Sequence, residues 1–213
     1  MKIELETVKP EDIEKRSFEI IESELKRPLD PALAPIIKRV IHTTADFDYA
    51  DSLYFSVDAL SAALEAFRSG SRIVTDTNMA RAGINKAALE KLGGEALCFM
   101  ADGDVAACAK ADGTTRAVAS MNKAARLKGP LIFAVGNAPT ALIRLYELIG
   151  EKRVAPALVI GAPVGFVNVV QSKELIMQAG APCIVARGRK GGSNVAAAIV
   201  NALMYGITST ANS

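Results

Sequence analysis

Tryptophan is missing from this 213-residue chain, histidine occurs once, and aromatic residues make up only 5% of it. Neither sign of charge dominates, with 25 Lys and Arg against 23 Asp and Glu, so the net charge of +2 gives no general reason to bind nucleic acid. Any preference for anions must be local. The three cysteines, Cys98, Cys108 and Cys183, form an odd set without a CxxC pair. That count excludes a disulfide scaffold and zinc spacing, and it predicts thiols buried as small hydrophobes in a reducing, cytoplasmic setting. No clustered Asp, Asn and Glu loop resembles a calcium site, so no metal is expected.

Long membrane-type runs are also missing. Val154 to Ser172 is uncharged but broken by Pro156, Gly161, Pro163 and Gly165, while Gly191 to Ser213 carries Ser193, Asn194, Asn201 and a polar tail. The opening residues Lys2, Glu4, Glu6 and Lys9 offer no apolar h-region for a signal peptide. Half of the residues are hydrophobic. One domain spanning 1–213 is expected, burying roughly 70% of the surface its unfolded chain exposes, with no staple needed.

From residue 70 onward, short apolar runs alternate with helical patterns, the arrangement of a parallel sheet with crossover helices. Five strands are expected: Arg72 to Asp76, Glu95 to Phe99, Leu131 to Val135, Ala157 to Gly161 and Pro182 to Arg187. Pro139 and Gly150 bound a helix over Thr140 to Ile149, another runs from Thr114 to Lys128, and Gly180 and Gly206 close two later ones. The first 70 residues read as helices only, over Glu11 to Lys26, from Pro31 or Pro35 to His42, and over Ser56 to Ser69 with Ser56 as cap. The expectation is a doubly wound α/β fold with a mainly parallel five-stranded sheet and an N-terminal helical segment packed on it.

Ligand crevices in such sheets lie beyond the carboxyl ends of the strands. The chain places Asp76 to Asn78, Met100 and three Gly-rich loops there, at Gly136 to Thr140, Gly161 to Phe166 and Arg187 to Asn194. These loops are either anion seats or plain βα turns. GxGxxG and GxxxxGK[ST] are both missing, so no nucleotide cofactor is indicated. His42 is the only imidazole, hence the only side chain of that type able to exchange a proton near neutral pH, and it lies on the polar side of its helix with Lys38 and Arg39. Arg187, Arg189 and Lys190 form the densest basic cluster, and Arg116 opens a helix; both suit a small polyanion or are solvated surface charge. Ser17 lies on the apolar stripe of the first helix, where a hydroxyl commonly bonds back to the preceding turn.

The segments EKRSFEII (14–21), RVIHTTAD (39–46), GNAPTAL (136–142), PALVIGAPVGFVNVVQSKE (156–174) and RGRKGGSNVAAAIVNAL (187–203) resemble those of the precorrin-8X methylmutases of cobalamin biosynthesis, in the same order along essentially the whole chain. The resemblance implies an isomerase that moves a ring methyl from C11 to C12 of a corrin precursor without a nucleotide or redox cofactor. It also implies that His42 transfers a proton, that Ser17, Arg39 and Arg116 contact a polycarboxylate substrate, and that the protein is a homodimer with pockets near the subunit interface. A broad, flat ligand needs an apolar floor, which the strand ends with Met79 or Met100 could supply. The rival readings are a non-catalytic tetrapyrrole carrier and a flavodoxin-like enzyme binding phosphate or nucleotide at the Gly-rich loops.

Overall fold

All five runs expected as buried strands enter one sheet in the computed structural model, which describes residues 5–210, with side chains to 207. The charged opening at Lys2 and Glu4 and the end of the polar tail lie outside the described residues. In chain order, a short 3-10 turn, Pro10–Asp12, precedes helices α1 (Ile13–Glu24), α2 (Ala34–Thr44) and α3 (Tyr49–Ser52), strand β1 (Leu53–Phe55) and α4 (Ala59–Arg68). Then come β2 (Arg72–Thr75), α5 (Asn78–Gly83), α6 (Lys86–Lys91), β3 (Glu95–Leu97), α7 (Gly103–Ala111), α8 (Arg116–Ala124) and β4 (Leu131–Val135). The chain continues through α9 (Pro139–Gly150), β5 (Leu158–Gly161), α10 (Val169–Met177), β6 (Cys183–Ala186) and α11 (Ser193–Thr210).

The sheet has six strands rather than five, in the order β1-β6-β5-β4-β2-β3. Strand β1 corrects the expectation of a purely helical first third. It pairs antiparallel with β6, Leu53 opposite Ala186 and Phe55 opposite Ile184, and its ends are tied by Arg187 N–H to Ser52 C=O and by Ser56 N–H to Cys183 C=O, each at 2.9 Å. Three residues are too few to show an alternating pattern, so tertiary pairing makes this strand. Ser56 does not cap α4: its hydroxyl accepts from Cys183 N–H at 2.9 Å and donates to Asp58. Gly206 does not stop α11 either, which runs to Thr210. The thiol expectation holds for Cys183, whose burial pushes its pKa up to about 11, and fails for exposed Cys108.

Alternation along the strands sorts the core into two layers. Ile73, Ile132, Ala134, Ile160 and Ile184 face α1, α2, α4 and α11, whereas Val74, Phe133, Val135, Val159 and Val185 face α8, α9 and α10. The parallel strands β2, β3, β4, β5 and β6 connect as a 2-1-3-4-5 sheet whose order reverses between β2 and β4, the topological switch point where α/β proteins usually seat ligands. Helix α2 packs Ile36, Ile37, Val40 and Ile41 inward. Its N-terminal half meets Ala202 and Tyr205 near the end of α11, while Asp46, just past its C-terminus, bonds Lys190 before α11 begins. The two helices are therefore antiparallel, and His42, in the last turn of α2, lies toward the end of the sheet that carries the loops.

Candidate active site

The switch point is filled from within. Asp76, fully buried at the end of β2, accepts hydrogen bonds from the N–H groups of Gly136, Asn137 and Ala138 at 2.8, 2.8 and 2.6 Å. Burial pushes its pKa up, and those three N–H groups oppose the shift by favouring the carboxylate. The loop after β4 thus has its nest of amides occupied by the protein's own anion, which removes the phosphate seat that the flavodoxin-like reading requires. Gly136 is needed for close approach: a Cβ there would stand 2.6 Å from Ser193 Cα. Beside it the hydroxyls of Thr77 and Ser193 meet at 2.8 Å, so the first turns of α5 and α11 are joined across the rim.

His42 stands on a different wall, built by α1 and α2. It is exposed, its ring meets Phe18 edge to face at 5.6 Å, and no hydrogen bond to another described residue engages it. One turn earlier, Arg39 grips Glu14 with two bonds of 2.8 and 2.7 Å and lies over the rings of Phe18 and Tyr205. The Arg39 hydrogen bonds hold the Glu14 carboxyl below the usual range, with the charges of Arg39 and His42 acting in the same direction. Arg39 is therefore a braced cation that fixes α1 against α2. A groove of about 490 Å³ lined by Phe18, Arg39 and Tyr205 opens beside it. The Ser17 hydroxyl donates to Ile13 C=O at 2.9 Å, the back-bond expected of a helical serine. The end of α2 is abrupt, because Ala45 adopts a left-handed conformation at φ 53° and turns the chain toward Asp46.

The basic cluster divides into an anchor and two free cations. Lys190 bonds Asp46 and Asp48 at 2.7 and 2.6 Å, which raises its own pKa and lowers that of Asp46, so it ties the loop to the end of α2. Arg187 and Arg189 are exposed, pair with no carboxylate among the described residues, and lie over Tyr54 and Phe166 at 4.8 and 5.5 Å. In the neighbouring loop Val164, Phe166 and Val167 are 48%, 81% and 79% exposed, an apolar rim beside the Arg189 guanidinium. Of the two methionines expected at the strand ends, Met100 is half-buried and accepts from Ser120, while Met79 is 74% exposed. Arg116 occupies the first position of α8, exposed and without a partner among the described residues, after a turn in which Thr115 caps the helix at Val118 N–H and touches Thr140. A cation at a helix N-terminus opposes the dipole by roughly 0.3–1 kcal/mol, a cost that an arriving anion would offset.

Against known proteins, the precorrin-8X methylmutase family profile matches residues 12–206. The chain belongs to the precorrin-8X methylmutase family. It is 47% identical over 198 residues to the cobalt-precorrin-8 methylmutase of Priestia megaterium, covering 92% of this chain and 88% of that one. The cobalt-precorrin-8 methylmutase of Salmonella typhimurium is 48% identical over 203 residues, 92% and 95% of the two chains. A crystal structure of precorrin-8X methylmutase from Thermus thermophilus superposes with a TM-score of 0.85 at 38% identity, over 93% of this chain and 98% of that one.

In this methylmutase chain, the folded structure brings Ser17, Arg39 and His42 onto one pair of facing helices and leaves Arg116 on the other side of the sheet, where α8 packs through Ala117 and Met121. Two buried ionisable residues lie at the rim: Asp76, within the Asp76 to Asn78 stretch expected at the crevice, and Lys173, outside every stretch expected there. The spacing Val169, Ser172, Lys173, Ile176 carries the missed signal, because it puts a lysine on the buried stripe of α10. For Asp76 the signal is a charged residue ending an otherwise apolar buried strand.

Proposed function

We propose that this protein is an isomerase of corrin biosynthesis that moves a ring methyl group from C11 to C12 of cobalt-precorrin-8, giving cobyrinate, with His42 as the proton-transfer residue. The observation that carries the reading is the family match through residues 12–206, with two relatives named for the cobalt-containing substrate. A methyl shift on a conjugated macrocycle changes its tautomer, so an acid that protonates the ring as the methyl migrates lowers the barrier. Positioned proton transfer is worth typically ~10²–10⁴-fold, and holding the ring in one conformation supplies more. His42 suits the task because it is the sole imidazole, is exposed, and is held by Phe18 at its edge without a competing hydrogen bond.

Arg187, Arg189 and Arg116 are the cations free to meet the acetate and propionate arms, while Arg39, already paired with Glu14, shapes the wall that carries His42. Ser17 joins the substrate contacts if its hydroxyl turns from Ile13. No nucleotide or metal cofactor enters this chemistry; cobalt arrives within the substrate. The protein works as a cytoplasmic homodimer, a state supported by the apolar Ile13 and Ile20 that α1 leaves exposed. No helix among the described residues is long and apolar enough to cross a membrane. Purified protein incubated with cobalt-precorrin-8 should yield a product of unchanged mass with the methyl group at C12. Tight binding of the pigment without rearrangement would identify a carrier instead.

A further inference from the structure

Lys173 is 1% exposed, and its ammonium donates to two backbone carbonyls, Gly188 C=O and Lys190 C=O, both at 2.8 Å. No carboxylate among the described residues pairs with it, and burial alone pushes its pKa down to about 8. A buried ammonium without a counter-ion is expensive, and an apolar side chain of similar volume would pack in α10 at lower cost. The geometry shows what the amine does there. Gly188 and Lys190 turn their oxygens inward onto Lys173, and Arg189 C=O between them accepts from Gly165 N–H at 3.1 Å. Three successive carbonyls are thereby drawn into the protein, and the side chains of Arg187 and Arg189 are left outside, each resting on an aromatic ring and unpaired.

We propose that Lys173 is a positioning residue for substrate recognition: its ammonium fixes the Gly188–Lys190 turn so that Arg187 and Arg189 form a preset two-guanidinium clamp for carboxylate arms of the corrin substrate. This rests on the polycarboxylate reading above. A tetrahedral ammonium can aim two N–H groups at two carbonyls of one turn, whereas an apolar residue offers no donor and would leave the turn untied. The clamp gains affinity from Lys173 because its ordering is completed before the substrate arrives.

A double-mutant cycle tests this, with cobyrinate titrated as the probe and turnover of cobalt-precorrin-8 measured alongside. The Arg187→Ala/Arg189→Ala double variant should weaken cobyrinate binding by roughly tenfold or more. Lys173→Met should raise Kd and KM by about five- to tenfold with kcat within about twofold of wild type. Added to the arginine double variant, the same change should move Kd by less than about twofold, because nothing remains to be positioned. Lys173→Gln, which keeps two N–H donors on a shorter, uncharged side chain, should fall between wild type and Lys173→Met. An unchanged Kd in Lys173→Met, or an equal loss with and without the arginines, would overturn the proposal. Loss of the folded state in both Lys173 variants would also overturn it, since Lys173 would then hold the domain rather than the turn. Wild-type turnover with no effect of the arginine changes sinks the clamp alone, whereas absent wild-type turnover sinks the methylmutase reading itself.

Discussion

The two walls of the candidate site are built in opposite ways. On the loop rim, buried charges do the holding: Asp76 takes three amides of the loop after β4, Lys173 takes two carbonyls of the loop after β6, and the outward cations Arg187 and Arg189 are left unpaired. On the α1–α2 wall the holding is done at the surface, by the bidentate Arg39–Glu14 pair and the Phe18 ring, and the residue left without a hydrogen-bond partner is His42. Under the proposed function the rim binds the substrate and the helical wall transfers the proton. Recognition and chemistry are thus assigned to elements that different interactions stabilise, and they should fail independently.

The largest break in that arrangement should come from Asp76. Asp76→Ala leaves the buried N–H of Gly136 and the partly buried N–H groups of Asn137 and Ala138 without their acceptor at the switch point, and thermal or denaturant unfolding should show a loss of about 2–4 kcal/mol. A loss below ~1 kcal/mol would mean that water replaces the carboxylate and that the rim is not pinned from within. Lys173 gives a pH signature of the same construction. Its folded pKa of about 8 lies below the ordinary 10.5, so between those values the unfolded chain binds the extra proton and stability rises with pH. Cys183, raised from 9.0 to about 11, has the opposite sign and removes stability over that higher window. The stability of wild type minus that of Lys173→Met therefore isolates the lysine. That difference should grow by roughly 2–3 kcal/mol from pH 8 to 10.5, and a flat difference would place the lysine in water.

Arg116→Ala should weaken cobyrinate binding about tenfold, near 1.5 kcal/mol, more at low salt than at high, while stabilising the fold slightly, by roughly 0.3–1 kcal/mol, as the cation leaves the N-terminus of α8. Equal affinity in the variant would remove the far side of the sheet from the site. The smallest effect belongs to the helical wall. Ala45→Gly relieves a left-handed alanine and should stabilise the protein by about 0.5 kcal/mol while leaving cobyrinate affinity unchanged. A change in affinity there would show that the two walls are coupled.

Much of the sheet is legible in the sequence because buried parallel strands are near-continuous apolar runs, as in Leu131 to Val135, and because βα loops carry glycine and helix-starting residues such as Pro139. Strand β1 is not, since its three residues become a strand only when β6 supplies the partner. The family is legible where motifs run for several residues, and His42 stands out as a candidate because its residue type is scarce. The division of the basic loop is not legible, because nothing in RGRK tells which cation will find Asp46 and Asp48. The pinning roles of Asp76 and Lys173 are hidden for a related reason: their partners are backbone groups 60 and 15 residues away, which no local pattern announces.

The central claim is that His42 transfers the proton while other residues bind the pigment. Its most direct test measures cobyrinate affinity and cobalt-precorrin-8 turnover on one preparation of His42→Ala, with His42→Asn alongside. Both variants should keep wild-type fold and nearly unchanged Kd while kcat falls about 10²-fold or more. If either variant rearranges the methyl group at near wild-type rate, proton transfer by His42 is wrong and the enzyme works by restraining the macrocycle alone.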